Sequence, residues 1–543
     1  MRGSVPLDSP CVRVAGRLSN VINTGGADAE LDGESEPTQD RRSDPAVAVE
    51  TVRIGFWDIG VALLVVALSA WLRHRQLGPP SLWLDDAWPA LVIKTGWSHI
   101  TTVGLTAPGF AVALKTWLHF TGFSATRAQS LAFVIGIAAP ALLWLLCLTR
   151  RLGRPAALVA AVLLMTSPAH IIYSARVKQY TLDSLLVIVL LWLTWRGLER
   201  PDDERRWYFL AVGAAVATAT SSGVVPVVIG AFGAAFLATR AVDRQIRRRA
   251  LGAGVAYIAF AIGWWALVLR PRLGTALRDY WRSFYVSGSN PGGITVGLRS
   301  VATRTAEGFS DLPMLITLAV LLAAAVVVIR ARPLLSIVLV GPFVIAVALA
   351  ILQLAPIGTG RTDIYLYPLF AVLIAVAVAE ISYRRAFAAL VAVALVVAPL
   401  ALADAPAAYP QENMRLAVAL LNAQVRSHDE ILVYSGGRYA FALYAPAAWR
   451  VSVVATKDQT NGFDVRIHRP NLSVLDSYDS VARYRQAVAR VARGARRVWF
   501  IGSHGRLDVL KIERALHDLG YRAASRRRDR EAWFLSLWVR KTA

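Results

Sequence analysis

The sequence predicts a polytopic α-helical membrane protein of about eleven spans, followed by a C-terminal soluble α/β domain. Three observations indicate this fold class. Of the 543 residues, 56% are apolar and only 17% are charged, whereas an ordinary soluble domain has about 25% charged residues. Apolar runs of roughly 20 residues, each long enough to cross a hydrocarbon core of about 30 Å, recur between residues 56 and 403. After residue 403 the pattern changes to alternating helix-like and strand-like segments.

The basic composition follows from this topology. The chain has 59 Lys and Arg against 36 Asp and Glu, a formal net charge of +23. Most of the arginines in the apolar part lie in short connections between the apolar runs. Such clusters mark cytoplasmic connections and set the orientation of a membrane protein. The charge therefore does not indicate a nucleic-acid partner.

Residues 1–52 are rich in Gly, Ser, Pro and acidic residues without periodicity, which predicts a disordered cytoplasmic tail. The first apolar run, 56–72, begins too late for a cleaved signal peptide and follows Arg53. It therefore predicts a retained anchor that brings the chain to the outer side of the plasma or inner membrane.

Residues 73–128 are semi-polar, and we interpret them as a first outer loop with helices in the membrane interface. A span over 109–120 is disfavoured because it would bury Lys115 and His119 and reverse the side of the next Arg-rich connection. The other predicted spans are 129–148, 156–173, 183–196, 207–221, 223–239, 252–269, 313–329, 334–352, 364–381 and 386–403. This topology leaves every Arg-rich connection inside and residues 404–543 outside.

The outer side also receives a long loop, 270–312, with aromatic residues and a glycine-rich turn in DYWRSFYVSGSNPGG. It could close over a lipid headgroup as a lid or form an ordinary aromatic belt. In the C-terminal domain, helices are predicted at about 411–426, 478–493 and 506–518. Strands are predicted at 431–434, 451–454, 497–501 and 534–539.

Candidate catalytic residues lie in the first outer loop. Asp85 and Asp86 stand side by side in LWLDDAWPAL, where apolar neighbours make an unused carboxylate costly. Either could serve as a general base that accepts a proton from a bound hydroxyl. Paired Asp residues also commonly cap the start of a helix, and capping does not exclude catalysis.

Candidate phosphate-binding residues lie between two later spans. The segment SPAHIIYSARVKQYTLDSLL carries Arg176, Lys178, Tyr180 and Asp183 at a helix junction. Two cations there would suit a phosphate group, with Asp183 fixing one of them, because ionisable groups at membrane depth usually face a cavity. The alternative is a cluster of long side chains that reach the interface without a ligand.

A third charged segment, APIGTGRTDIYLYPLF, places Arg361 and Asp363 after a glycine turn. Arg361 could hold a phosphate through its two-pronged guanidinium, or it could pair with Asp363 at the start of the next helix. Arg282 in the long loop is a further supporting cation. No set of His or Cys residues has metal-ligand spacing, so the residues themselves predict no metal site.

These segments, taken in order, resemble the membrane-embedded glycosyltransferases of the GT-C class over roughly residues 50–400. The resemblance is carried by WLDDA, TAPGF, RRLGRP, TSPAHIIYSARVKQYTLD and GRTDIYLYPL. The likeness is to the branch that includes protein O-mannosyltransferases and aminoarabinose transferases of lipid A. It implies a GT-C-like transmembrane catalytic domain at 53–403 and inverting transfer from a polyprenyl-phosphate sugar outside the cytoplasm. It also implies that the first-loop acid pair is the catalytic centre.

The resemblance matches Asp85 and Asp86 to the family's Asp-Glu pair, Asp183 to an acid after the third span, and Arg361 to a late arginine. The chain departs from the pattern in having Asp86 for the second acid and Ala107, Pro108, Gly109 and Phe110 for a His-Pro-Pro-Leu motif. Some relatives bind a divalent cation near the acid pair.

The predicted function is transfer of a sugar from a polyprenyl phosphate to a cell-envelope glycan, lipid or protein. The donor phosphate would dock on Arg361 with Arg176 or Lys178, and Tyr180, Asp183, Arg282 and Asp363 would support it. The Arg-, Ala- and Val-rich composition is typical of a high-GC bacterium, which favours mannose or arabinofuranose. A transporter or flippase is the main alternative, although such proteins place substrates near the midplane and show repeated halves. An inactive scaffold is a third possibility.

Overall fold

A computed structural model describes most of the chain from residue 54 to residue 541. The described ranges are 54–78, 81–104, 107–271, 273–286, 291–381, 384–385, 388–389, 412–478, 480–492, 494–503, 506–529 and 533–541. The predicted tail lies outside them, and so does most of the predicted span 386–403.

The first three quarters of the described chain are helical. The α-helices are α1 Phe56–His74, α2 Leu84–Ala90, α3 Ile100–Val103, α4 Pro108–Thr121, α5 Ala125–Thr149, α6 Arg154–Thr166, α7 Pro168–Ser174, α8 Tyr180–Glu199, α9 Glu204–Thr220, α10 Val225–Ala238, α11 Arg244–Trp264, α12 Thr275–Tyr280, α13 Pro291–Phe309, α14 Met314–Ala331, α15 Pro333–Ile351 and α16 Tyr367–Ala379. Helix α11 continues as a π-helical turn, Trp265–Leu269.

Six of the described helices are long and apolar enough to cross a membrane: α1, α5, α8, α11 with its π-helical turn, α14 and α15. Together they make the chain a multi-pass membrane protein. The predicted number of eleven spans is not confirmed. Helices α9, α10 and α16, at three predicted spans, are shorter than the six.

The predicted span 156–173 is bent by 59° between α6 and α7. The cause is local, since Pro168 has no amide hydrogen to continue the helix and disfavours helical dihedrals at the preceding residue. Ser167 accordingly has φ −58° and ψ 120°. The bend turns the short helix α7 toward the connection that carries Arg176 and Lys178.

The C-terminal region contains seven strands and four further helices among the described residues. The strands are β1 Glu430–Tyr434, β2 Arg450–Ala455, β3 Phe463–His468, β4 Leu472–Leu475, β5 Arg497–Ser503, β6 Tyr521–Asp529 and β7 Trp533–Arg540. The helices are α17 Met414–Gln424, α18 Arg438–Tyr444, α19 Val481–Val491 and α20 Arg506–Asp518. The sequence patterns missed β3, β4, β6 and α18.

The strands form a five-stranded sheet in the order β4-β1-β5-β7-β6 and a hairpin of β2 with β3. Strand β1 pairs in parallel with β4 and β5, whereas β7 is antiparallel to β5 and β6. Successive residues of β1 point to opposite faces, so Ile431 and Leu432 belong to two different apolar cores. The first core includes α2 and α4, and the second includes α19 and α20.

The C-terminal region packs directly on the predicted first outer loop. The Leu82 amide donates a 2.7 Å hydrogen bond to the Tyr444 hydroxyl, and Lys94 Nζ donates to the Ala445 carbonyl at 3.2 Å. Leu91 and Phe441 are fully buried in the shared core. The two segments therefore lie on the same side of the transmembrane helices, whichever number of spans connects them.

Candidate active site

Three connections between helices converge around the acid pair. Helix α2 carries Asp85 and Asp86, the connection from α7 to α8 carries Arg176 and Lys178, and the turn before α16 carries Arg361. The sequence predicted that these five side chains share one site, and the structure brings them together through the contacts below.

Asp86 and Arg176 form a buried ion pair. Arg176 Nε donates to Asp86 Oδ2 at 2.8 Å, and the Val177 amide donates to Asp86 Oδ1 at 3.1 Å. The side chains are 3% and 7% exposed. Burial raises the pKa of Asp86, while the charges of Arg176 and Lys178 oppose that shift. Both carboxylate oxygens are thus engaged in holding the α7–α8 connection on helix α2.

Asp85 has a looser partner and faces a more open space. Arg361 Nη1 lies 3.3 Å from Asp85 Oδ2. This distance is longer than the roughly 2.7–2.9 Å that is typical of a charge-assisted hydrogen bond. The same guanidinium donates to the Tyr280 hydroxyl at 2.6 Å and lies 4.7 Å from the centre of the Trp281 ring. Asp85 and Arg361 are 14% and 19% exposed, so both remain accessible to a ligand.

Lys178 lies between the two acids and the ring of Trp88. Its Nζ is 4.9 Å from the centre of the Trp88 ring, and it interacts electrostatically with Asp85, Asp86 and Arg361. Burial lowers the pKa of Lys178, and the two carboxylates counteract that effect. The ring of Trp88 also makes an edge contact with Tyr439 of α18, at 5.7 Å between centroids.

The turn that presents Arg361 is organised by Asp363. The Asp363 carboxylate accepts hydrogen bonds from the Thr359 amide at 3.1 Å, from the Thr359 hydroxyl at 3.0 Å and from the Thr305 hydroxyl at 3.3 Å. Gly358 has φ +68°, and a Cβ there would lie 2.8 Å from the Val301 backbone, so glycine fits this turn. The alternative of an Arg361–Asp363 ion pair is wrong, because Arg361 turns to Asp85 and Tyr280.

Asp183 and Arg282 lie outside these contacts, whereas Tyr180 is within electrostatic reach of Arg361 and Asp85. The carboxylate of Asp183 faces Gly223, where a Cβ would come within 3.2 Å of Oδ2, rather than fixing Arg176 or Lys178. The buried Tyr180 packs edge-on against Tyr173 at 5.0 Å. Arg282 is exposed, and its neighbours Tyr280 and Trp281 make the contacts to Arg361 instead.

Aromatic residues were the part of the site that the sequence patterns missed. Trp88 packs between Lys178 and Tyr439. The guanidinium of Arg176 lies 4.4 Å from the ring centre of Trp83. A signal was present, since Trp83 and Trp88 flank the acid pair and Tyr280 and Trp281 precede Arg282. Cations stacked on such rings keep their N–H groups available to an anion.

The donor set does not fit the divalent cation that the resemblance allowed. Asp85 and Asp86 each face an arginine, and the described residues contain no group of three or more His, Cys, Asp or Glu side chains that could hold a metal ion. His170, in α7, instead shares a hydrogen bond of 2.9 Å between its Nδ1 and Nη2 of the buried Arg73.

A comparison of the sequence with family models gives one match. The family described as dolichyl-phosphate-mannose-protein mannosyltransferase matches residues 106–265, which include Arg176 and Lys178 but neither the acid pair nor Arg361. Among curated proteins, none matches the sequence significantly.

Solved structures with a similar fold cover most of the chain. ArnT from Cupriavidus metallidurans bound to undecaprenyl phosphate has a TM-score of 0.56 and 13% identity, over 89% of this chain and 97% of that one. Its apo state has a TM-score of 0.54 and 14% identity, with the same coverage. The arabinofuranosyltransferase AftD from mycobacteria has a TM-score of 0.49 and 16% identity, over 88% of this chain and 41% of that one.

Proposed function

We propose that this chain is a GT-C glycosyltransferase that transfers a sugar from a polyprenyl phosphate to an envelope acceptor, as its family match over residues 106–265 and its ArnT-like fold support. The observation that carries the proposal is the convergence of Asp85 and Asp86 with Arg176, Lys178 and Arg361 at one site. The undecaprenyl phosphate named for the ArnT structure supports the same class of donor.

The charge balance of the site favours a donor with one phosphate. Its three cations face two carboxylates, so the site has an excess of one positive charge. A sugar phosphodiester carries one negative charge and would neutralise that excess. Arg361 is suited to bind this phosphate because its contact with Asp85 is long and its guanidinium stacks on the ring of Trp281.

Asp85 is the better candidate for the general base. Asp86 has both oxygens bound to the α7–α8 connection, whereas Asp85 has one long contact and is partly exposed. In the proposed step, Asp85 takes the proton of the acceptor hydroxyl as its oxygen attacks the anomeric carbon. The bond from that carbon to the phosphate oxygen breaks, and the phosphate leaves with the electron pair, stabilised by Arg361 and Lys178. Attack from the side opposite the phosphate inverts the anomeric carbon.

We also propose that the site lies outside the cytoplasm and accepts a glycan, lipid or protein of the cell envelope. The arrangement favours an enzyme over a transporter or flippase, because the charged groups lie on the short helix α2 and in connections between helices rather than near the middle of the long spans.

Two measurements test this function. The purified protein would be supplied with a radiolabelled polyprenyl-phosphate sugar and with membranes as the source of acceptor. We expect label in the acceptor fraction from the wild-type protein, and a reaction that yields only free sugar would overturn the proposal. For sidedness, Ala447→Cys and Gln245→Cys would be placed in a chain lacking Cys11 and Cys147. An impermeant maleimide should label position 447 in intact cells and position 245 only after permeabilisation, and the reverse pattern would reject an outer site.

A further inference from the structure

A second charged site lies on the C-terminal region, away from the candidate active site. A groove with a volume of about 400 Å³ lies between helix α20 and strands β6 and β7. Its lining has four cationic side chains, Arg514, Arg522, Arg526 and Lys541. One carboxylate, Glu513, lies among them at 3.9 Å from Arg526 Nη2. The lining therefore has an excess of three positive charges.

One of the cations in the groove stacks on an aromatic ring. The guanidinium of Arg526 lies 5.2 Å from the centre of the Trp538 ring. Trp538 is itself 2% exposed and donates through Nε1 to the Ser536 hydroxyl at 2.9 Å. Stacking on a fixed ring orders the Arg526 fork while its N–H groups remain available to an acid group.

Protection of a sheet edge does not account for the whole cluster. Arginines on β6 alone could serve to prevent pairing with another strand. Arg514, however, belongs to α20, and Lys541 follows β7 beside the start of β6. Cations from three elements thus meet around one concave surface.

The position of the groove argues against membrane lipid as its ligand. Trp538 belongs to the apolar core that includes α19 and α20, on one face of the five-stranded sheet. The first outer loop packs on the opposite face, through the core that includes Trp499 and Leu535. Basic clusters that bind anionic lipid lie next to the membrane helices, whereas this groove lies on the face turned away from them.

We propose that this groove binds an acidic glycan of the cell envelope, one that carries carboxylate or phosphate groups along its chain. Such groups accept the charge-assisted hydrogen bonds that Arg and Lys donate. The groove then holds the glycan next to the transferase, separately from the donor site. This binding rests on the outer location proposed above and not on the catalytic roles.

Binding of labelled polymers to the full-length protein in detergent tests the proposal. The probes are polygalacturonate, dextran phosphate and uncharged dextran, at physiological ionic strength. The groove variant is Arg522→Gln/Arg526→Gln, and the matched control is Arg450→Gln/Arg466→Gln, which removes two exposed arginines from the β2–β3 hairpin. Undecaprenyl phosphate binding is measured in parallel and should be the same in all three proteins, which shows that the variants are folded.

We expect the wild-type protein to bind at least one acidic polymer and not the uncharged dextran. The groove variant should bind it about tenfold more weakly or worse, because charge-assisted hydrogen bonds are lost, while the control should stay close to wild type. Equal weakening in both variants would assign the binding to the overall positive charge and overturn the proposal. Failure to bind either acidic polymer would also overturn it.

Discussion

Asp86 accepts hydrogen bonds from the side chain of Arg176 and from the amide that follows it, and this pair is almost sealed from solvent. The contact joins helix α2 to the connection between α7 and α8, two segments 90 residues apart in the chain. It therefore fixes the positions of both the acid pair and the nearby cations.

Substituting Asp86 by Asn should destabilise the protein strongly, because the buried Arg176 would lose the carboxylate that its Nε contacts. Removing one member of a buried ion pair costs about 3–5 kcal/mol. Thermal unfolding of the purified protein measures the effect. The control is Glu204→Gln, which breaks a surface pair with Arg249, with side chains 34% and 44% exposed, of about 0–1 kcal/mol. Equal losses in the two variants would mean that Asp86 does not have this structural role.

Substituting Arg361 by Gln should weaken donor binding while the protein stays folded. Hydrogen bonds to charged groups contribute about 1.5–3 kcal/mol, which corresponds to roughly 10- to 150-fold in affinity. Titration with undecaprenyl phosphate, the leaving group of the proposed donor, measures the phosphate contact. Arg278→Gln is the matched control, since Arg278 contacts Gln353 in a neighbouring turn at 2.8 Å. This variant should bind the donor as the wild-type protein does. An unchanged affinity in the Arg361 variant would remove this residue from the phosphate site.

Donor binding should weaken as the pH rises, at an alkaline pH that is still below 10.5, the usual pKa of lysine. Burial lowers the pKa of Lys178, so its charge is lost at a lower pH than in an exposed lysine. The loss removes a cation from the donor phosphate, and affinity therefore falls as the pH rises through that lowered pKa. In Lys178→Arg the fall should disappear, because arginine stays protonated. Identical alkaline profiles for the two proteins would contradict the assignment of Lys178.

Substituting Trp88 by Leu should reduce donor affinity through Lys178. A partly buried cation–π contact is worth about 0.5–2 kcal/mol, or up to about 30-fold in affinity. Trp97→Leu is the control, because Trp97 makes a similar contact with Lys115, 5.1 Å from its Nζ, and Lys115 is not one of the charged residues of the site. If both variants bind the donor as the wild type does, Trp88 does not position Lys178.

The charged residues of the site could be predicted from the sequence, because carboxylates and cations beside long apolar runs need a partner or a cavity. Which of these residues contact each other could not be predicted from the sequence. Arg361 contacts Asp85 and not Asp363, whose carboxylate accepts hydrogen bonds from Thr359 and Thr305. Residue 305 is far from residue 363 in the chain, so no local pattern indicates this contact.

The C-terminal region illustrates a different limit. Strands β1, β2, β5 and β7 contain apolar and β-branched runs that indicate strands. Strand β6, YRAASRRRD, is an exposed edge with little apolar periodicity and gives no such signal. Helix α18 is only seven residues long, so its helical period is too short to read from the pattern, although it packs against α2.

The most direct test of the account is the rate of sugar transfer by Asp85→Asn at saturating polyprenyl-phosphate sugar. The asparagine keeps the shape of the side chain and removes the base, so we predict a fall in kcat of about 10²- to 10⁴-fold with donor binding retained. An Asp85→Asn protein that transfers sugar at the wild-type rate would contradict the central claim that this carboxylate takes the acceptor's proton.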